Sequence, residues 1–227
     1  MKSFPRLTVA VAALLFLGAA PAAHAQKTET KTKQKAAKPR KKDEVVTLHV
    51  TQNGAALGDI RLVLFEQTPL HKANFLKRAE GKLYDGTTFH RVIPGFMVQG
   101  GDPNSKDNDP TNDGMGQPND PRIPAEIRPE LRHKRGAVAA ARGGGPAGTP
   151  SSHAQFYIVQ NLNGTPHLDG AYTVFGQVIQ GQEVVDKIAQ VPRNEIDRPD
   201  QDVKMTVEVD KLKKKKITEL YGYTYGN

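Results

Sequence analysis

Short apolar runs separated by turn residues dominate the chain from Val45 onward, a pattern that predicts an antiparallel sheet. Residues 45–50 (VVTLHV) and 59–65 (DIRLVLF) flank a stretch containing Asn53-Gly54, the dipeptide best suited to a tight hairpin turn, so the first element is a β-hairpin. Thr68 is placed to cap a helix and Pro69 to open it. Leu70, Ala73, Phe75, Leu76 and Ala79 then recur with helical spacing up to Gly81, a fitting stop. Further strands are predicted at 87–93, 136–141, 155–160, 172–179 and 203–209, with a second helix over 181–191 and a short terminal helix within KLKKKKITELYGY. Seven or eight short strands, two helices and no βαβ alternation predict a mainly β fold, a closed or nearly closed antiparallel barrel with helices over its ends. Residues 103–129, rich in Asp, Asn, Pro and Gly, are too long for a turn and read as a surface loop bearing function.

The first 44 residues follow different rules. Lys2 and Arg6 precede the apolar run Leu7 to Ala20, Pro21 breaks it, and Ala23-His24-Ala25 supplies a small-residue cleavage site. Fourteen apolar residues are too few to cross a bilayer as a helix, which needs roughly 20, so residues 1–25 read as a cleavable signal peptide. Residues 26–44 have almost no apolar content and read as a disordered basic linker, because no burial would offset the entropy of ordering them. The expected destination is export to a bacterial periplasm, with full secretion as the alternative.

Composition removes several chemistries. There is no cysteine for a disulfide, a thiolate metal site or a catalytic thiol, and no tryptophan. The formal charge of +8 suggests an acidic partner until it is divided along the chain: residues 45–210 hold 17 basic and 20 acidic side chains. The excess sits in the tails, so no nucleic-acid partner is expected, and the lysine-rich ends are suited at most to weak contact with anionic surfaces. Gly143, Gly145 and Gly148 mimic a dinucleotide-binding G-x-G-x-x-G with Asp169 beyond, but the apolar run that follows predicts a strand instead of the required helix. The histidines are scattered without H-x-x-x-H spacing, and no G-x-S-x-G surrounds Ser151 and Ser152, so neither a metal site nor a hydrolase is predicted.

The stretch 89–103, FHRVIPGFMVQGGDP, is different because an arginine sits in mid-strand. Alternation places Phe89, Arg91 and Ile93 on one face and so predicts an inward guanidinium, which cannot lose its charge and must meet acceptors or a substrate. This stretch resembles the signature of the cyclophilin family of peptidyl-prolyl isomerases. AQFYIV (154–159), HLDGAYTVFGQV (167–178) and TPLHKANFLKRAEGKLYDGTTFHRVI (68–93) resemble further family segments in the same order, and the resemblance spans residues 45–212, leaving 213–227 as a basic extension.

The resemblance implies an eight-stranded antiparallel barrel capped by two α-helices and a reaction, rotation about the X-Pro peptide bond, that needs no cofactor or metal. It assigns Arg91 and Gln99 to catalysis. It assigns substrate binding to Phe96, Met97, Ala141, Arg142, Gln155, Tyr157, His167, Leu168 and Tyr172, with Phe96, Met97, Tyr157 and Leu168 as the apolar pocket and Gln99 with Ala141-Arg142 holding the peptide backbone. Alternation along 155–160 independently puts Gln155 and Tyr157 on one face and Phe156 in the core. The sequence departs from well-known eukaryotic members at Tyr157, His167, Tyr172, Arg142 and Ala154, where they carry phenylalanine, tryptophan, histidine, asparagine and serine, and the loss of the tryptophan at His167 implies weak cyclosporin binding. The expected partners are proline-containing peptides and unfolded exported proteins, met by a monomer. The competing function is a proline-peptide binding module or chaperone with incidental turnover.

Overall fold

The structure, a computed structural model, describes residues 40–107 and 109–226. The expected signal peptide and residues 26–39 of the expected linker lie outside the described residues. β1 (Lys42–Gln52) and β2 (Ala55–Leu64) form the predicted hairpin, turned by Asn53 and Gly54 at φ of 52° and 76°, the paired positive values that glycine and asparagine tolerate. α1 (Pro69–Glu80), β3 (Arg91–Ile93), β4 (Met97–Gly100), β5 (Arg122–Ile123), β6 (Ala137–Ala140), β7 (Ser151–Ser152) and β8 (Phe156–Val159) follow. β9 (Val174–Gln180), α2 (Gln182–Ala189), β10 (Val203–Lys213) and α3 (Lys214–Tyr221) complete the described chain.

Eight strands form one antiparallel sheet in the order β10-β1-β2-β9-β6-β8-β4-β3, while β5 and β7 pair separately. The closed barrel expected from the sequence is corrected here: the sheet is open, because β10 and β3 share no ladder. The bridge between Thr88 and Lys204 and backbone bonds from Phe89 N to Val203 O, from Met205 N to Thr87 O and from Gly86 N to Met205 O tie β10 to the segment before β3. β3 is three residues long, and the loop after α2 occupies part of its free edge through the bond from Val92 N to Asp197 O.

The inner face of the curled sheet and the two predicted helices share one core. Leu48, Ile60, Leu62, Val98, Val138, Ile158 and Met205 come from strands, Phe75 and Ala79 from α1, and Val184, Val185 and Ile188 from α2. Phe75 stacks on Tyr84 at 4.7 Å and meets Phe156 edge-on at 5.4 Å, a preferred aromatic arrangement. The outer face is also partly apolar, and α3 covers one patch of it: Ile217 is fully buried against Val45 and Val63. The terminal residues after β10 are therefore part of the packed body through Ile217, although the resemblance in sequence stops short of them.

Two local expectations are corrected. The linker does not run to Glu44, because Lys42, Asp43 and Glu44 open β1, opposite Lys213, Leu212 and Lys211. Asp43 is 2% exposed and its Oδ1 lies 2.6 Å from the buried Lys72 Nζ of α1, which also lies 2.9 Å from Glu66 and 3.2 Å from Glu44. Burial opposes charge on Lys72, but hydrogen bonds to Asp43 and Glu66 outweigh it and raise the lysine above its ordinary range. These three carboxylates are close enough to hold a metal ion, yet the ammonium of Lys72 already sits among them as their cation.

Thr68 does not cap α1, since its hydroxyl donates to Phe65 O. Glu126 does so instead, accepting from the amides of Leu70 at 3.1 Å and His71 at 3.0 Å and lying 2.7 Å from the His71 ring. The unsatisfied N–H groups of a helix start accept any well-placed oxygen, and here the oxygen comes from a loop far along the chain.

His90, beside Arg91, is buried with no hydrogen-bond partner for either ring nitrogen among the described residues. Burial pushes it down to about 4, with the Asp102 charge opposing only in part. An unfolded histidine, at about 6.5, binds a proton that the folded one refuses, so stability is fully present above pH 6.5 and falls as pH drops toward 4. The full difference corresponds to roughly 3 kcal/mol. Urea unfolding at pH 7 and pH 4.5 should show this loss, and His90→Phe should remove part of it; equal acid sensitivity in the variant would reject His90 as its source.

Candidate active site

The candidate site lies on the outer face of the sheet, where alternation brings two cross-strand rows together. Arg91 of β3 pairs with Gln99 of β4, Gln99 with Tyr157 of β8, and Tyr157 with Ala139 of β6. The adjacent row joins Ile93, Met97 and Val159. The residues between the rows, Val92, Val98, Ile158 and Val138, face the main core. The outer residues form a second apolar cluster, in which Met97, Ala139, Ala141, Tyr157 and Val159 are buried and Phe96, Leu168 and Tyr172 are partly covered. β3 and β4 meet at Pro94-Gly95, where Gly95 has φ 73° and Phe96 N donates to Ile93 O, the turn for which proline then glycine is best suited.

A cavity of about 120 Å³ opens into this cluster, lined by Arg91, Phe96, Met97, Gln99, Ala141, Arg142, Tyr157, Leu168 and Tyr172. Nine of the eleven expected site residues thus meet in one place. Gln155 stands just behind, accepting from Gln99 Nε2 at 3.1 Å and donating to buried Asp102 at 3.2 Å. His167 does not line the cavity; it stacks on Phe96 at 5.7 Å and so backs the rim. Arg91 corrects its sequence reading: Phe89 and His90 lie outside the strand, which begins at Arg91, and Phe89 enters the core while Arg91 is exposed. Its guanidinium has no hydrogen-bond or ion-pair partner among the described residues. The Ala141 amide donates to Gln155 O and its carbonyl accepts from Ser152 N, so each of its backbone groups already has one partner.

A model of the cyclophilin type peptidyl-prolyl cis-trans isomerase family matches residues 45–209, and so contains every one of these residues. The chain belongs to the cyclophilin-type peptidyl-prolyl cis-trans isomerases. It is 39% identical over 156 residues to a peptidyl-prolyl cis-trans isomerase of Arabidopsis thaliana, covering 68% of this chain and 88% of that one. It is 38% identical over 161 residues to a probable peptidyl-prolyl cis-trans isomerase of Brucella suis, covering 67% and 79%. Crystal structures of a Cryptosporidium parvum cyclophilin, one of them in the presence of the dipeptide Ala-Pro, superpose with TM-scores of 0.60 and 0.59 at 28% identity. They cover 74% and 73% of this chain and 98% of that one.

Two residues behind the cyclophilin cavity were not legible in the sequence. The His133 ring, buried and stacked parallel to Tyr157, lies 2.9 Å from Asp169 through Nδ1 and 3.0 Å from the Tyr157 hydroxyl through Nε2. Burial holds His133 below its ordinary range against the opposing pull of Asp169. The neutral ring therefore donates from Nδ1 to the carboxylate and accepts from Tyr157, whose own burial keeps the hydroxyl protonated. His133 and Asp169 are 36 positions apart, so no local spacing could have paired them.

Tyr157→Phe keeps the ring but strips His133 of its donor. An expected destabilisation of about 1–2 kcal/mol follows from an unpaired buried nitrogen, readable as a lowered urea midpoint with an unchanged slope. An unshifted midpoint would show that the hydroxyl contributes nothing to this wall.

Proposed function

We propose that this isomerase turns X-Pro bonds by seating the proline ring among Phe96, Met97, Tyr157 and Leu168 and presenting Arg91 to the prolyl nitrogen. The peptide bond resists rotation by about 18–20 kcal/mol because resonance gives it double-bond character. Twisting it ends the resonance and leaves a lone pair on the prolyl nitrogen, a hydrogen-bond acceptor that exists in the transition state and in neither ground state. A cationic donor presented there stabilises the transition state over either ground state. Each 1.36 kcal/mol is tenfold in rate, so roughly 6–8 kcal/mol would bring unaided times of tens of seconds or more to the millisecond range and below.

The observation that carries the reading is the position of Arg91 at the lip of an apolar cavity with its donors unspent. Gln99, steadied by Gln155, is set to hold the flanking peptide. Arg142 replaces Ala141 as the backbone anchor, since its own amide and carbonyl make no backbone bond among the described residues. The Ala-Pro dipeptide present with the Cryptosporidium parvum relative favours the same substrate class.

Residues 1–25 are the export signal and 26–41 the linker, so the clients are proline-limited folding intermediates of exported proteins, with the periplasm as the compartment. The test is a prolyl isomerisation assay on short X-Pro peptides, together with amino-terminal sequencing of the protein from fractionated cells. Strong acceleration and a mature chain beginning at Gln26 are expected. A folded chain without acceleration would leave a proline-binding module instead, and an uncleaved cytoplasmic chain would remove the export role.

A further inference from the structure

Residues 45–210 carry three more acidic than basic side chains, yet the surface around the proline cavity is basic. Beside the cavity of about 120 Å³ lie two more, of about 420 Å³ and 150 Å³, and all three share Gln99 and Arg142. Their walls carry four arginines, Arg91, Arg122, Arg142 and Arg198, against a single carboxylate, Asp113. Asp113 is already engaged: Arg198 Nε lies 2.7 Å from it, and its side chain is 5% exposed. Three positive charges on the groove therefore have no compensating carboxylate among its lining residues.

Arg142 differs from the other two in being held in place. Its Nε donates to Ala171 O at 3.2 Å, its Nη1 to Gly143 O at 3.0 Å and Gly145 O at 2.9 Å, and its guanidinium carbon rests 4.3 Å from the centre of the Tyr172 ring. Three carbonyls and an aromatic face fix the plane of the guanidinium, so little side-chain entropy remains to be lost when it binds. Nη2 has no partner among the described residues, which leaves two N–H groups of a fixed cation beside the proline cavity. A carboxylate oxygen can accept from this nitrogen in a charge-assisted hydrogen bond, about twice as strong as one between neutral groups.

Resting on the isomerase reading above, we infer that Arg142 makes this enzyme selective for substrates that carry an aspartate or glutamate close to the proline, with Nη2 meeting the carboxylate. Lysine at the same substrate position meets the uncompensated charge of Arg91, Arg122 and Arg142 and is disfavoured. The selectivity is electrostatic at a partly open groove, so it weakens as salt screens it.

The experiment measures kcat/KM of the full chain on three sets of short peptides, placing Glu, Gln or Lys two residues before, directly before or directly after the proline. At about 0.05 M salt, Glu should exceed Gln by about fivefold in at least one position, with Lys below Gln, and the ratio should approach one at about 1 M salt. In Arg142→Gln the Glu-to-Gln ratio should fall to near one whatever happens to the absolute rate, in Arg142→Lys it should survive in part, and in Arg122→Gln it should persist. A ratio near one in the parent chain at every position overturns the inference while the Gln peptides still turn over. So does a ratio that survives Arg142→Gln or disappears in Arg122→Gln. No turnover of any peptide would sink the isomerase reading, and this inference with it. The parent ratio decides whether the selectivity exists, so a variant that folds poorly does not protect the idea.

Discussion

Arg91→Ala is expected to lower kcat/KM for X-Pro peptides by about a hundredfold to a thousandfold, the scale on which a single positioned electrostatic donor contributes to a transition state. The same substitution should leave stability within about 0.5 kcal/mol, because the side chain is exposed and makes no hydrogen bond or ion pair among the described residues. That separation makes the variant informative, since a loss of rate cannot be blamed on a loss of fold. Arg91→Lys should retain only part of the activity, since a flexible ammonium carries the charge without the planar array of donors. If Arg91→Ala kept full activity on peptides with an unchanged unfolding midpoint, the proposed role of the guanidinium would be wrong and the cavity would have to act by desolvation alone.

The largest expected loss of stability comes from the opposite end of the charge question. Lys72→Met should destabilise the protein by about 3–5 kcal/mol, because removing one partner of a buried ion pair leaves the other without compensation. Asp43 would be left buried with no ion-pair partner among the described residues, while Glu44 keeps Lys211 at 3.4 Å and Glu66 keeps Arg40 at 3.6 Å. Denaturant unfolding of the parent and variant at pH 7 measures the difference. The loss should shrink as pH falls through the carboxylate range, since protonation removes the stranded charge. The double variant Lys72→Met with Asp43→Asn should recover part of the stability; if it recovered none, the buried pair would not be the source. A chain beginning at residue 45 should likewise be less stable than one beginning at residue 40, because Asp43 belongs to β1.

These expectations depend unequally on what could be read from the chain. The hairpin at Asn53-Gly54, the helices beginning near Pro69 and Gln182, and the strand alternation of Val203, Met205 and Val207 rest on local periods and turn chemistry, and the structure reproduces them. The division of residues 155–157 between site and core follows from the period of two, and Phe156 enters the core while Tyr157 joins the outer cluster. The same rule failed at Arg91. Phe89 and His90 lie outside the strand, which begins at Arg91, so the count of alternate residues had no continuous ladder to rest on. Thr68 had the right chemistry to cap α1 and was displaced by Glu126, whose two oxygens satisfy two backbone amides at once.

By itself, the sequence determined the strand and helix pattern, the mainly β class, and a motif order that places nine of eleven expected site residues around one cavity. All of these depend on neighbours within a few positions or on runs of residue types, which folding preserves. Only the tertiary structure decided that the sheet stays open, that Lys42 to Glu44 belong to it, that His133 and Asp169 back Tyr157, and that Arg142 is fixed by carbonyls with Nη2 left without a partner among the described residues. Each of those depends on which distant groups meet, and a buried polar atom takes whichever partner the fold brings within about 3 Å, a distance that sequence separation does not encode.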